Sequence, residues 1–208
     1  MELKWVSDGV DSTVYRMNTE YVVKIYDRML KLLEGNTDKC LLLLNRYADD
    51  TLKTSEIVNT EWDKLYSYQR EFSFNSKDYD TKIVIIPQGK TELISLPAVN
   101  VAPREEPING KYVASTGQKY IIGENLCEVI SGYDTGEVDS IFHTSINTFE
   151  SSMKKSLNYL SRILSHNVNV PFTIGRANVV PILNESDNCL ELIITDLASD
   201  ILGVYKRF

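Results

Sequence analysis

Ser7 to Tyr26, SDGVDSTVYRMNTEYVVKIY, places two β-branched and aromatic runs with period-two alternation on either side of the short polar stretch Met17-Asn18-Thr19-Glu20. That is the pattern of a β-hairpin, and it commits the start of the chain to antiparallel sheet. Gly9 and Ser12 precede the first run, where the chain bends and main-chain amides can approach an anion without bulky side chains in the way. Lys24 stands inside the second run among Val22, Val23, Ile25 and Tyr26. A lysine buried in such a strand calls for an anionic partner, and nucleotide phosphates or a carboxylate would serve.

The order Ser7-x-Gly9-x-x-Ser12-x-Val14 followed by Val22-x-Lys24 resembles the glycine-rich loop and strand lysine of the protein kinase-like superfamily. Small residues replace two of the three usual glycines, which is similar to the aminoglycoside and choline kinase branch as much as to the protein kinases. The resemblance implies ATP as ligand, with Ser7, Gly9, Ser12 and Val14 over the nucleotide and Lys24 on its phosphates. The alternative for this stretch is an ordinary edge hairpin with a snorkelling lysine.

The chain has 208 residues, of which 43% are hydrophobic, enough to bury a core as one domain or as two small lobes. A net charge of -7 and the lack of a Lys/Arg cluster interleaved with aromatics argue against a nucleic-acid partner. Cys40, Cys127 and Cys189 lie far apart without metal-ligand spacing, which fits a reducing setting. His143 and His166 are too few for a histidine metal site. The N-terminal MELKWVSDGV has no charged-then-apolar leader, and the run Cys40 to Leu44 is too short to cross a bilayer, so a cytoplasmic protein away from membranes is expected.

Beyond the hairpin, 28–34 and 39–47 read as helical, broken at Gly35-Asn36-Thr37, and 52–71 reads as a longer helix with Val58, Trp62 and Leu65 on one stripe. Glu61 lies beside that stripe. In the superfamily a helix glutamate pairs with the strand lysine, so the resemblance implies that role for Glu61, with Glu56 as the other candidate. Residues 82–87, 91–101, 111–114 and 120–122 read as strands, with Pro97, Pro103 and Pro107 marking a surface loop. With the hairpin they predict a mainly antiparallel sheet of about five strands. Glu128-Val-Ile-Ser-Gly132 then resembles the extended hinge whose main chain bonds the adenine edge, and 134–139 reads as a linker. Ile146 to Leu164 is the clearest helix: Ile146, Phe149, Met153, Leu157, Leu160 and Leu164 step by three or four residues.

Pro171 to Leu183 and Leu190 to Ala198 are similar to the superfamily's catalytic loop, two short strands and metal-binding turn. Asn178 and Asp196 correspond to the magnesium ligands, and amide and carboxylate oxygens are the hard ligands that ion takes. Thr173 occupies the position of the catalytic aspartate, Gly175 that of a frequent lysine, and Leu197-Ala198 replaces Phe-Gly. Twelve residues, 197–208, follow Asp196, leaving no room here for an activation segment. Asp187 or Asp200 could replace the missing base.

These readings predict an α+β, two-lobed protein kinase-like fold, with an antiparallel five-stranded lobe over 1–130 and a reduced helical lobe over 131–208. The resemblance implies ATP and Mg2+ as ligands, Lys24, Glu61 and Asp196 as the catalytic set, and Glu128 among the nucleotide-binding residues. The function would be an atypical phosphotransferase acting on a protein or small-molecule hydroxyl, or an inactive pseudokinase that engages a partner. A protein partner or a second copy would cover the apolar faces of the short second lobe. An unrelated α+β protein with a chance order of motifs is the third reading.

Overall fold

A computed structural model of the protein describes residues 3–71, 80–99, 108–135, 146–167, 170, 172–184, 189–198 and 200–205. The protein is α+β, with one five-stranded and one three-stranded sheet. It divides into two compact units that interleave along the chain: Met1–Leu52 with Pro87–Ile121 and Ala198–Phe208, and Lys53–Ile86 with Ile122–Leu197.

The first unit is built on β1 (Lys4–Asp8), β2 (Thr13–Arg16), β3 (Tyr21–Ile25), β5 (Lys90–Val99) and β6 (Ile108–Lys119), in the order β1-β2-β3-β6-β5 with every neighbouring pair antiparallel. The expected hairpin is β2–β3. Its turn closes because Asn18 Oδ1 accepts from the amides of Glu20 and Tyr21 at 2.8 and 2.9 Å, an Asx arrangement that asparagine provides locally. Alternation then sends Tyr15, Val23, Ile25 and Ala114 into one apolar cluster with Leu3. The strand expected over 111–114 is part of one longer strand, β6. Its register shifts between Val22↔Gln118 and Lys24↔Ser115, and Gly117 takes φ 77 beside that bulge, a conformation glycine adopts without Cβ strain. Residues 120–122 lie outside the sheet.

Two helices follow the hairpin, α1 (Asp27–Leu32) and α2 (Thr37–Glu71). The expected break between them is real. Gly35 N–H reaches Leu30 O at 2.9 Å and Glu34 N–H reaches Lys31 O at 3.1 Å, with Glu34 at φ 55 and Gly35 at φ 79, which is a Schellman ending. Asn36 Oδ1 then accepts from Lys39 N–H at 3.0 Å and starts α2. The two helices expected over 39–47 and 52–71 are one, since no glycine or proline interrupts the chain between them. Up to Leu52 α2 counts with the first unit and from Lys53 with the second.

The second unit holds β4 (Asp80–Ile85), β7 (Val179–Asn184) and β8 (Cys189–Ile194) in the order β4-β8-β7, with α3 (Leu126–Thr135) and α4 (Ile146–Asn167). β4 was expected in the large antiparallel sheet. It instead pairs parallel with β8, from Asp80↔Cys189 to Ile85↔Ile194. That pairing buries Ile83 and Ile85 with Leu190, Leu192 and Ile194, and the cluster extends to Val58 and Trp62 of α2 and to Met153, Leu160, Ile163 and Leu164 of α4. Of the amphipathic stripe predicted for α4, Met153, Leu160 and Leu164 are core and Leu157 packs against it. Trp62 Nε1–H donates to Thr81 O at 3.0 Å and its ring meets Tyr159 edge-on with centroids 5.4 Å apart. No helix among the described residues is long and apolar enough to cross a membrane.

Candidate functional site

In the first unit, register fixes the neighbours of Lys24. It faces Val14 on β2 and Ser115 on β6, and Ser115 faces Thr91 on β5. Directly opposed residues share a face of a sheet, so Val14, Lys24, Ser115 and Thr91 form one row across four strands. Lys24 is 6% exposed, and Ser115 and Thr91 are buried beside it.

The turn before β2 is laced to its surroundings. Gly9 N–H donates to Ser12 O at 2.8 Å, Met29 N–H to Asp11 O at 3.1 Å, and Thr13 Oγ1–H to Asp8 Oδ1 at 3.0 Å. Arg28 lies against the turn, with one guanidinium nitrogen 3.1 Å from Asp8 Oδ1 and another donating to Gly9 O. Gly9 and Ser7 are exposed, Val14 is half-buried and Ser12 is buried. The Gly9 amide, read from sequence as open to a phosphate, already has an acceptor within the turn. Arg28, which the motif reading did not single out, is the cation that bonds this turn through Asp8 and Gly9.

In the second unit, Asn178 ends a single 3-10 turn, Arg176–Asn178, and leads straight into β7. The β7–β8 pairing sets Val179 against Ile194. One step further out, Thr195 N–H donates to Asn178 O at 2.9 Å, and Thr195 Oγ1 lies 3.3 Å from the same oxygen. Asn178 and Asp196, separated by a hairpin in sequence, therefore sit at one end of the same pair of strands, both half-buried. An amide and a carboxylate are residue types that supply the one or two protein oxygens magnesium takes when phosphates complete its shell. The donor set fits the ion. Among the described residues no group of three His, Cys, Asp or Glu side chains is placed to hold a metal.

Glu61 is half-buried on α2 and belongs with Asn178 and Asp196 to the second unit, whereas Lys24 belongs to the first. Glu56 is exposed. Thr173, at the position of the catalytic aspartate, is exposed, as is Arg176. Asp200 serves structure: Gly203 N–H donates to its Oδ1 at 2.8 Å, at the start of α5 (Ile201–Tyr205). Asp187, His143 and most of the linker read over 134–139 lie outside the described residues.

Glu128 is a correction. The segment read as an extended hinge lies within α3, with Glu128 in its first turn. Asn125 Oδ1 accepts from Cys127 and Glu128 N–H at 2.9 and 3.2 Å, and Glu128 Oε2 accepts from Asn125 N–H at 2.7 Å. This reciprocal pair is a capping box, and the side chain of Glu128 is spent on it. The signal was in the sequence as Asn125-x-x-Glu128 before an apolar run.

No protein-family model matches the chain, and no curated protein matches it. Among solved structures, the chain is similar to the streptomycin–ATP–APH(2″)-IIa ternary complex, an aminoglycoside phosphotransferase, at 15% identity over 98% of this chain and 71% of that one, with a TM-score of 0.21. A superposition that loose assigns neither fold nor activity.

Proposed function

We propose that the protein is a kinase-like phosphotransferase that binds ATP with magnesium. The observation that supports this reading is the main-chain hydrogen bond from Thr195 N–H to Asn178 O, which brings positions 178 and 196 to one end of β7–β8. Lys24, buried on β3, is assigned to the phosphates, and Glu61 is the helix glutamate of the set. Phosphoryl transfer depends chiefly on positioning and on charge neutralisation by metal and cation, so it tolerates an unusual loop. The acceptor would be a hydroxyl on a protein or small molecule.

A second reading is an inactive kinase-like module that engages a partner. Two observations favour it: the exposed Thr173 offers no carboxylate at the expected base position, and the Gly9 amide is occupied within its own turn.

Thermal unfolding with ATP, with and without magnesium, tests both. A ligand at about 100 times its Kd that binds only the folded state adds roughly 2.7 kcal/mol. The first reading expects a magnesium-dependent rise in Tm that Asp196→Ala and Lys24→Ala abolish. A wild-type Tm that ATP and magnesium leave unmoved would overturn it and leave the partner-binding module standing.

A further inference from the structure

The row Lys24–Ser115–Thr91 holds more than a lysine. The Oγ atoms of Ser115 and Thr91 are buried and have no hydrogen-bond partner, although the two residues face one another and Ser115 also faces Lys24. Ser115 is wholly buried and Thr91 is 9% exposed. A buried hydroxyl without a partner gives up its hydrogen bonds to water and gains nothing in return, so such groups ask for an occupant. Adjacent strands lie about 4.8 Å apart, so the Lys24, Ser115 and Thr91 positions, one bearing an ammonium and two bearing hydroxyls, span a row of roughly 10 Å.

A row that begins with a buried cation and continues with neutral donors suits an anion carrying several oxygens. We propose that Ser115 and Thr91 bind phosphate oxygens of the nucleotide in line with Lys24, making the β3–β6–β5 face the polyphosphate subsite. This rests on the nucleotide reading above and adds two binding residues to it. Val14 at the head of the row contributes only apolar surface. Lys24, Ser115 and Thr91 are all buried, so occupation entails opening this face. Neither residue was legible in the motifs, because their alignment with Lys24 follows from a register that includes the bulge at Gly117.

The test removes each hydroxyl without changing shape much, as Ser115→Ala and Thr91→Val, with Thr91→Ser as the variant that keeps the oxygen. Tm and ligand-induced shifts are measured with magnesium ATP and with inorganic triphosphate. The proposal expects both probes to stabilise the wild type. It expects Ser115→Ala and Thr91→Val to keep or raise the ligand-free Tm while weakening both probes about tenfold, the share of one hydrogen bond to a charged group. Thr91→Ser should bind as the wild type does.

Unchanged binding in both hydroxyl-free variants would overturn this subsite and leave the ATP reading intact. A fall in ligand-free Tm would overturn it as well, since the hydroxyls would then already be bonded within the fold. ATP binding without triphosphate binding would remove the phosphate assignment. Failure of the wild type to respond to either probe would remove the subsite together with the nucleotide reading.

Discussion

The main-chain amide of Ile201 donates a 2.6 Å hydrogen bond to Oδ2 of Asp11, 190 positions earlier in the chain. Asp11 is 5% exposed and belongs to the turn that holds Gly9 and Ser12, so this turn and the short helix α5 share one carboxylate. Truncation as Asp11→Ala leaves the buried Ile201 amide without that acceptor. The expected loss is about 1–3 kcal/mol, read from urea unfolding, with Asp11→Asn losing less because an amide oxygen still accepts. Equal midpoints for wild type and Asp11→Ala would show that α5 does not depend on this bond.

Tyr205 anchors the other end of α5. Its hydroxyl donates to Asp50 Oδ2 at 2.7 Å, and the Arg46 guanidinium lies 4.8 Å from its ring centroid. Burial, followed by the bond to Asp50 and its charge, pushes the phenol well above the usual tyrosine range, against a smaller opposing effect of Arg46. The folded pKa exceeds the unfolded value of about 10, so the stabilisation is complete below that pH and is lost as pH rises towards the folded value. Tyr205→Phe should therefore lower stability by about 1 kcal/mol at neutral pH and flatten the alkaline decline. An alkaline titration of unfolding identical in both proteins would contradict this.

None of the three cysteines is in a disulfide, and their surroundings rank them. Burial first and the Asp11 charge second push the Cys40 thiol up to about 11, whereas Cys127 is exposed on α3. Thiolate is the reactive form, so at pH 8 iodoacetamide should modify Cys127 first and reach buried Cys40 and Cys189 only on unfolding. Because its pKa is raised, Cys40 adds stability below its ordinary value that fades as pH climbs towards 11. Peptide mapping after timed alkylation checks the order. Early labelling of Cys40 would be incompatible with the packing described.

What the sequence disclosed was local. The Asn18 turn, the break at Gly35, the stripe of α4 and the return of the chain from Asn178 to Asp196 each depend on residues within a few positions or within one hairpin. Long-range pairing was not legible. β4 carries the same β-branched pattern whether it joins an antiparallel or a parallel neighbour, and only Cys189 to Ile194, more than a hundred residues later, decides the matter. The length of α2 was hidden by the polar stretch Asp49-Asp50-Thr51 between its two apolar stretches. The helix accommodates it by leaving Asp49 exposed, bonding Asp50 to Tyr205 and burying Thr51 with its hydroxyl donating to Ala48 O. At the candidate site, Lys24 betrayed itself by being charged in an apolar strand. Ser115 and Thr91 did not, because small hydroxyl residues are ordinary in strands until register sets them beside a cation.

The segment from Asn125 to Gly132 separates a helical start from an extended hinge by a measurable coupling. In the capping box, Asn125 Oδ1 serves the Cys127 and Glu128 amides and Glu128 Oε2 returns to the Asn125 amide. Asn125→Ala should lower stability by about 1 kcal/mol, and Glu128→Ala by less, since its carboxylate is exposed. The two side chains fix the same turn, so the double variant should lose less than the sum of the singles, by about 0.5 kcal/mol or more in a double-mutant cycle. In an extended strand neither side chain would reach the other's amide, and the losses would add. Strict additivity would return this stretch to the hinge geometry and Glu128 to the candidates for nucleotide contact, whereas coupling keeps Glu128 as the residue that starts α3.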